Sequence, residues 1–428
     1  MKHITEAARM TSVVAEVDVL VCGGGSAGVA AAVCAARTGA RVLLVERYGY
    51  LGGLATGGLV ITVPPLDNGI NREIREELER ADVYRQGENL GDDPSVDGLI
   101  AVDPELLKHR FMTMLLEAGV DVLLHTYIVQ TLTEGAAVTG VIVENKAGRA
   151  AILAKVMVDV TGDGDVAASA GAAFVTEEQP LPVTLMANLG GVDSEMAIAQ
   201  LGNWGHLRTV VEEAVASGEL DFELEVHSKY FAPGVFAADL CHRGEVNLWP
   251  GSMFGVNGLD PRQLTHAEIV TRDHAMRLVS FLKRKVPGFE DSWLEYTANQ
   301  LGVRETRRIV GGCSPTLREA LVGACDDTVA KPYSKRRMRI PYGSLVPRDV
   351  DGLLVAGRCM SAQQDAMVQL RLIPVCLATG QAAGTAAALA ARDCVKPRDV
   401  DVAALQRALS SQGVDLGIAE PAGAATPA

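Results

Sequence analysis

The chain is poor in aromatic residues, at 4%, and holds only three tryptophans, Trp204, Trp249 and Trp293. Its eight cysteines (22, 34, 241, 313, 325, 359, 376 and 394) form no CxxC pair. Iron–sulfur clusters and zinc ribbons, which need paired thiolates, are excluded on that ground, and the thiols read as reduced and mostly buried; no metal site is indicated. Cationic excess is also missing, with a net charge of −14 and a pI near 5.1. A nucleic-acid partner, which needs clustered cations to displace counterions, is therefore not expected. The one basic run, KRRMR at 335–339, is short and reads as a solvated face. No uncharged apolar run reaches membrane-spanning length except 375–391, where Thr379, Gln381 and two glycines point to a buried helix and no membrane association. The first residues carry Glu6 and Glu16 and no apolar leader core, so a cytoplasmic location is expected.

What is present is organised around residues 17–46, VDVLVCGGGSAGVAAAVCAARTGARVLLVE. The pattern is a buried strand (17–21), a glycine turn, a helix of small residues to Thr38, and a second strand (42–45) closed by Glu46. Gly23 permits the tight turn, Gly25 lets backbone approach a pyrophosphate, and Gly28 brings helix against strand. Ser26 and Ala27 open the helix, whose N-terminus favours phosphate charge. Glu46 follows Gly28 by 46 − 28 = 18 residues, the placement of an acid that binds a ribose hydroxyl and repels a 2′-phosphate. An adenine dinucleotide is expected, and Arg47 stands next to its ribose. No second GxGxxG follows a strand, so no separate nicotinamide domain is evident.

With 48% apolar residues in 428, the chain can bury more than one core. A second glycine-rich stretch, LGGLATGGLV at 51–60, carries Gly52, Gly53 and Thr56 and is placed to lie against the diphosphate or the far half of a long cofactor. Asp103 and Pro104 predict the cap and first residue of a helix through Leu116. Strands are expected at 120–124, 125–133, 138–144 and 150–155, and a further one at 156–160 that runs into TGDGD with Thr161 and Gly162. The character changes over about 171–296, where strand-like pieces (183–189, 224–231, 245–248) mix with helices (194–201, 206–217, and 266–285 capped by Thr265). This insert holds five of the eight histidines and all three tryptophans, and reads as a substrate domain. Then come LGVRETRRIVG at 301–311, a strand at 353–356 ending in Gly357 and Arg358, and a small-residue helix beginning near Pro374, just after Leu372 and Ile373. The tail from Glu420 is expected to be disordered.

Four blocks, GGGSAG with Glu46, LGGLATGG, VDVTGDGD and LGVRETRRIVG, followed by LLVAGRCMSA and LIPVCLATGQAAG, together resemble the FAD-dependent oxidoreductases of the glutathione-reductase/fumarate-reductase clan. The resemblance implies an α/β fold: a Rossmann-like FAD-binding domain of the glutathione-reductase-2 type, assembled from 1–175 and 340–410, with an inserted mixed α+β substrate domain at 176–339 and a tail at 411–428. It places ADP on Gly23 to Gly28 and Glu46, adenine against the backbone near Val129, the diphosphate near Thr161 and Gly162, and the ribityl chain on Gly357 and Arg358. The helix after Leu372 and Ile373 then points at the flavin, where its N-terminus favours negative charge. Relatives usually carry threonine and histidine where this chain has Gln363 and Gln364, so the proton relay is lost or moved to Asp365, His227 or His242.

The expected function is hydride transfer between a small organic substrate and flavin N5, as dehydrogenase, oxidase or reductase. Arg304, Arg371, Gln364, Arg243 and Tyr230 are the substrate-side candidates, for anion binding, orientation and proton transfer. The electron acceptor or donor is open among oxygen, a carrier and transient nicotinamide, and a homodimer is compatible with the fold. A dithiol reductase is excluded because no cysteine lies between Cys34 and Cys241. A flavin-dependent monooxygenase is the alternative enzyme, and a non-catalytic FAD-stabilised subunit the alternative of another class.

Overall fold

The structure is a computed structural model that describes residues 3–5, 7–87, 90, 98–221, 234–323 and 326–418. Its main sheet has seven strands: β1 (Val13–Cys22), β2 (Val42–Val45), β3 (Asp121–Leu123), β4 (Tyr127–Glu134), β5 (Ala137–Asn145), β6 (Gly148–Asp159) and the strand Leu353–Val355. The order is β3-β2-β1-β6-β5-β4, with Leu353–Val355 paired to β6. The sequence suggests two strands over 150–160. The structure has one, because the first half of β6 pairs antiparallel with β5 and its second half pairs parallel with Leu353–Val355.

Register explains why the glycine motifs, far apart in the chain, meet. Cys22 is opposite Val45 and Asp159, and Asp159 is opposite Val355. These four residues end parallel strands in one lateral row, spanning roughly 14 Å at the usual interstrand spacing. Each is followed by a loop that leaves the sheet on the same edge, where ligands of doubly wound sheets sit.

Behind the sheet, helix α1 (Ser26–Arg37) packs on the long helix Ile373–Asp393. A Cβ at Gly380 would stand 2.1 Å from Ala27 O, and one at Gly384 2.0 Å from Ala31 O. The small-residue face is therefore filled by the α1 backbone. Ile373–Asp393 is long and apolar enough to cross a membrane, but 89% of its apolar window is buried inside the protein.

A second, antiparallel sheet orders Val235–Asp239, Val246–Pro250, Ala187–Gly190 and Trp293–Thr297. It has its own core, with Trp204 edge-on to Phe289 at 6.1 Å between ring centroids. The helix behind it begins earlier than its polar pattern suggests: it spans Pro261–Lys285, and Asp260, not Thr265, is the cap, accepting from Arg262 N and Gln263 N. Thr265 instead donates its hydroxyl to Pro261 O at 2.7 Å, inside the first turn. Three short strands, Thr62–Val63, Tyr84–Gln86 and Ile100–Val102, form a third small sheet. The expected strand at 224–231 falls outside the described residues.

Candidate active site

A cleft of about 490 Å³ runs along the carboxyl edge of the main sheet. Its sheet-side wall follows the register row: Glu46, Arg47 and Tyr48 after β2, Gly23, Gly25, Ser26 and Ala27 after β1, Thr161 to Asp163 after β6, and Gly357 and Arg358 after Leu353–Val355. Gly52 and Gly53 complete this wall, and Gly52 bridges Gly25.

Two glycines in the first turn have opposite surroundings. A Cβ on Gly28 would meet Gly23 O at 2.0 Å, so Gly28 is closed by protein, whereas a Cβ on Gly25 would meet nothing within 4 Å. Gly25 thus offers bare backbone to the cleft at the N-terminus of α1, the arrangement that receives a phosphate. Gly23, at φ +116°, makes the turn in a conformation that side chains disfavour.

At the β2 end, Glu46 is buried; its Oε2 accepts from Gly24 N at 2.6 Å and its Oε1 from Tyr48 N at 2.8 Å. The carboxylate is held rigidly, with its remaining lone pairs on the cleft side available to a hydroxyl. Arg47 lies 4.9 Å over the Tyr48 ring, which stacks on Tyr50 at 5.2 Å and 8°. Tyr48 is absent from the sequence reading because no motif marks it.

In the middle, Asp159 is fully buried and accepts from Ala167 N, Thr161 N and the Thr161 hydroxyl. Burial pushes its carboxyl up to about 6 against those hydrogen bonds. Thr161 is thereby fixed at the strand end. Burial alone would also raise Asp163, but the charge of Arg358, 2.8 Å away, and the Thr306 hydroxyl outweigh it and hold this carboxyl below its usual range. Arg358 is therefore anchored to Asp163, and Arg307 to Asp165 at 2.9 Å.

Beyond Gly357 the wall continues with Arg371, Ile373 and Cys376 at the start of Ile373–Asp393. Facing it are Leu54, Gly258, Leu259, Leu264, Glu268, Gln300, Leu301 and Val303. Arg371 has a buried Nε with no hydrogen-bond partner, and burial presses its guanidinium down to about 10. Arg304 donates to Pro182 O at 2.6 Å and to the Thr184 hydroxyl at 2.7 Å. Burial, followed by the charge of Arg371, sets Arg304 well below the ordinary arginine range, so the two guanidiniums are neighbours. An anion lowers the cost of that pairing.

Not every candidate lines the cleft. Thr56 is fully buried and donates to Leu51 O, and Leu372 caps the helix by accepting from Cys376 N. Val129 is exposed on β4, just past Tyr127 and Ile128, which do line the cleft. Gln364 donates to Gln179 O and to Glu305 Oε2, so it steadies the Glu305–Arg308 pair and stays outside the lining; its neighbour Asp365 accepts from Leu317 N. Arg243 is exposed on the turn before Val246–Pro250, also outside the lining. His242 pairs with Asp103 at 3.2 Å in a separate cavity with Glu245, Trp293 and Tyr296. Tyr230 and His227 lie outside the described residues. Glu268 and Gln300, which no motif marks, are brought in by the second unit.

A row of parallel strand ends with a glycine cradle, an acid after the second strand and a long cleft across four of these ends defines a dinucleotide-binding flavoprotein fold, and these residues fit FAD. The chain belongs to the family described as FAD dependent oxidoreductase, which matches residues 18–334 and 330–409. It is an FAD-dependent enzyme. Its sequence is 35% identical over 127 residues to a thiamine thiazole synthase of Aeropyrum pernix, covering 29% of this chain and 43% of that protein. It is 32% identical over 165 residues to a thiamine thiazole synthase of Methanococcus aeolicus, covering 36% and 57%. The chain thus spans about half the length of the curated relatives it matches. In fold it resembles p-nitrophenol 4-monooxygenase from Pseudomonas putida (TM-score 0.53, 12% identity, 94% of this chain and 85% of that one). It also resembles a geranylgeranyl bacteriochlorophyll reductase-like protein from Thermoplasma acidophilum (0.52, 14%, 93% and 83%).

Proposed function

We propose that the enzyme transfers a hydride between a small organic acid and the flavin N5, and that Arg371, backed by Arg304, holds the carboxylate of that acid. The observation that carries this reading is the Arg371 guanidinium, which faces the cleft with a buried Nε that no protein acceptor meets. A buried donor without a partner loses its hydration and gains nothing in return, and a carboxylate is the acceptor whose geometry a guanidinium matches best. FAD, when bound, supplies two-electron chemistry at its flavin ring. The protein's own contribution is positioning: Glu46 and the Gly25 turn hold the nucleotide end, Asp163 anchors Arg358, and Leu259, Leu264, Leu301 and Val303 exclude water from the far end.

The test is an anaerobic screen of small organic acids against the FAD-loaded enzyme, reading loss of the oxidised flavin absorbance. Reduction by a carboxylate donor, lost in Arg371→Met, is expected. Reduction only by uncharged donors, unaffected by that substitution, contradicts the reading. Oxygen uptake with a reduced nicotinamide that inserts oxygen into the acid would favour the monooxygenase instead.

A further inference from the structure

We infer that Gln300 selects the substrate by donating its amide to a second acceptor oxygen, so that the preferred acids carry an oxo or hydroxy group besides the carboxylate. The inference rests on the carboxylate reading of Arg371 and extends it to the rest of the substrate. Gln300 lines the cleft, and its Nε2 is buried without a hydrogen-bond partner.

The backbone that carries Gln300 is firmly placed. On one side, Asn299 N and Gln300 N both donate to Gly57 O, at 2.8 and 3.2 Å, which ties the segment to the glycine-rich stretch of the cofactor wall. On the other, Leu301 N donates to Glu268 Oε1 at 3.0 Å. Glu268, the nearby carboxylate, accepts also from Arg272 at 2.9 Å through its Oε2 and not from Gln300. The side chains of Leu259, Leu264 and Val303 offer no acceptor. A buried donor atom that no protein acceptor meets is served by an acceptor arriving with a ligand. Because the amide is neutral and cannot titrate, a carbonyl or hydroxyl oxygen suits it better than a second charge, and the leucines accept an aliphatic chain between the two polar ends.

The experiment titrates FAD-loaded protein with valerate, 2-oxovalerate and levulinate, three acids of one charge and one chain length, and follows perturbation of the flavin absorbance. At least one oxo acid is expected to bind about tenfold more tightly than valerate, the usual worth of one good hydrogen bond. In Gln300→Leu the oxo acids should lose their advantage and bind no more tightly than valerate, whose affinity stays unchanged. Gln300→Glu, which keeps the size but turns the donor into an acceptor, should lose the preference as well. Persistence of the preference in both variants overturns the proposal. So does weakened FAD binding in Gln300→Leu, because the amide then serves the cofactor. Equal binding of all three acids by the wild type, abolished by Arg371→Met, leaves the carboxylate reading standing and removes only the role of Gln300. Binding of none of them removes both.

Discussion

On the sheet side of the cleft, glycine backbone at four strand ends lies beside side chains paired within the protein; the facing side is made mostly of side chains of the second unit, on loops and on the helix Pro261–Lys285. The sheet side is closed and satisfied: Glu46, Asp159, Asp163 and Arg358 all have partners within the protein. The substrate end leaves donors open on both walls, at Arg371 beyond Gly357 and at Gln300 facing it. The difference separates a wall preorganised for one invariant ligand from a substrate end that a variable ligand completes.

The comparison breaks most visibly at Gly384. Gly384→Val forces a side chain into the Ala31 carbonyl and should cost about 3 kcal/mol or more, read as a lowered unfolding temperature with or without FAD. An unchanged temperature would mean that the two helices do not pack as closely as described.

Asp159 sharpens the same side through pH. Its folded carboxyl titrates near 6 against an ordinary 3.8, so the folded state holds the extra proton. Stability from this group is full below about pH 3.8 and is lost as pH rises through 6, by about 3 kcal/mol if the whole shift is expressed. Asp159→Asn removes this slope, and the difference between wild-type and variant unfolding free energies should fall across that window; a flat difference contradicts it.

Arg371→Met addresses the substrate end. Carboxylate affinity should drop about thirtyfold, while the apoprotein unfolds no more easily, because an unpaired buried charge has been removed. Smallest is Glu46→Gln, which keeps one acceptor and loses the other, for about 1 kcal/mol of apoprotein stability in a denaturant titration.

The same contrast explains what the sequence discloses. The strand–turn–helix at 17–46, the Asp103 cap and the small-residue helix are legible because local geometry demands particular residues at fixed spacing. The row that joins Val45, Cys22, Asp159 and Val355 is a matter of register and lies beyond local pattern. Asp260 escapes as the cap of Pro261–Lys285, although it carries the same Asp-Pro signal as Asp103, because the later Thr265 also fits a cap ahead of the helical pattern. Arg304 and Arg371 stand out as arginines in apolar settings, yet their adjacency is tertiary. Gln300 and Glu268 belong to no motif; what distinguishes them is an unpaired amide and a cleft wall, which exist only once the second unit is folded against the first. Gln364 shows the reverse: a position singled out by a motif departure turns out to brace Glu305.

The most direct test of the account is FAD binding by Gly25→Val. Its Cβ would stand in the cleft with no protein atom within 4 Å, so the variant should unfold at the temperature of the wild-type apoprotein and yet take up no flavin, while the wild type binds one FAD per chain. A Gly25→Val protein that binds FAD as tightly as the wild type would contradict the cradle described here.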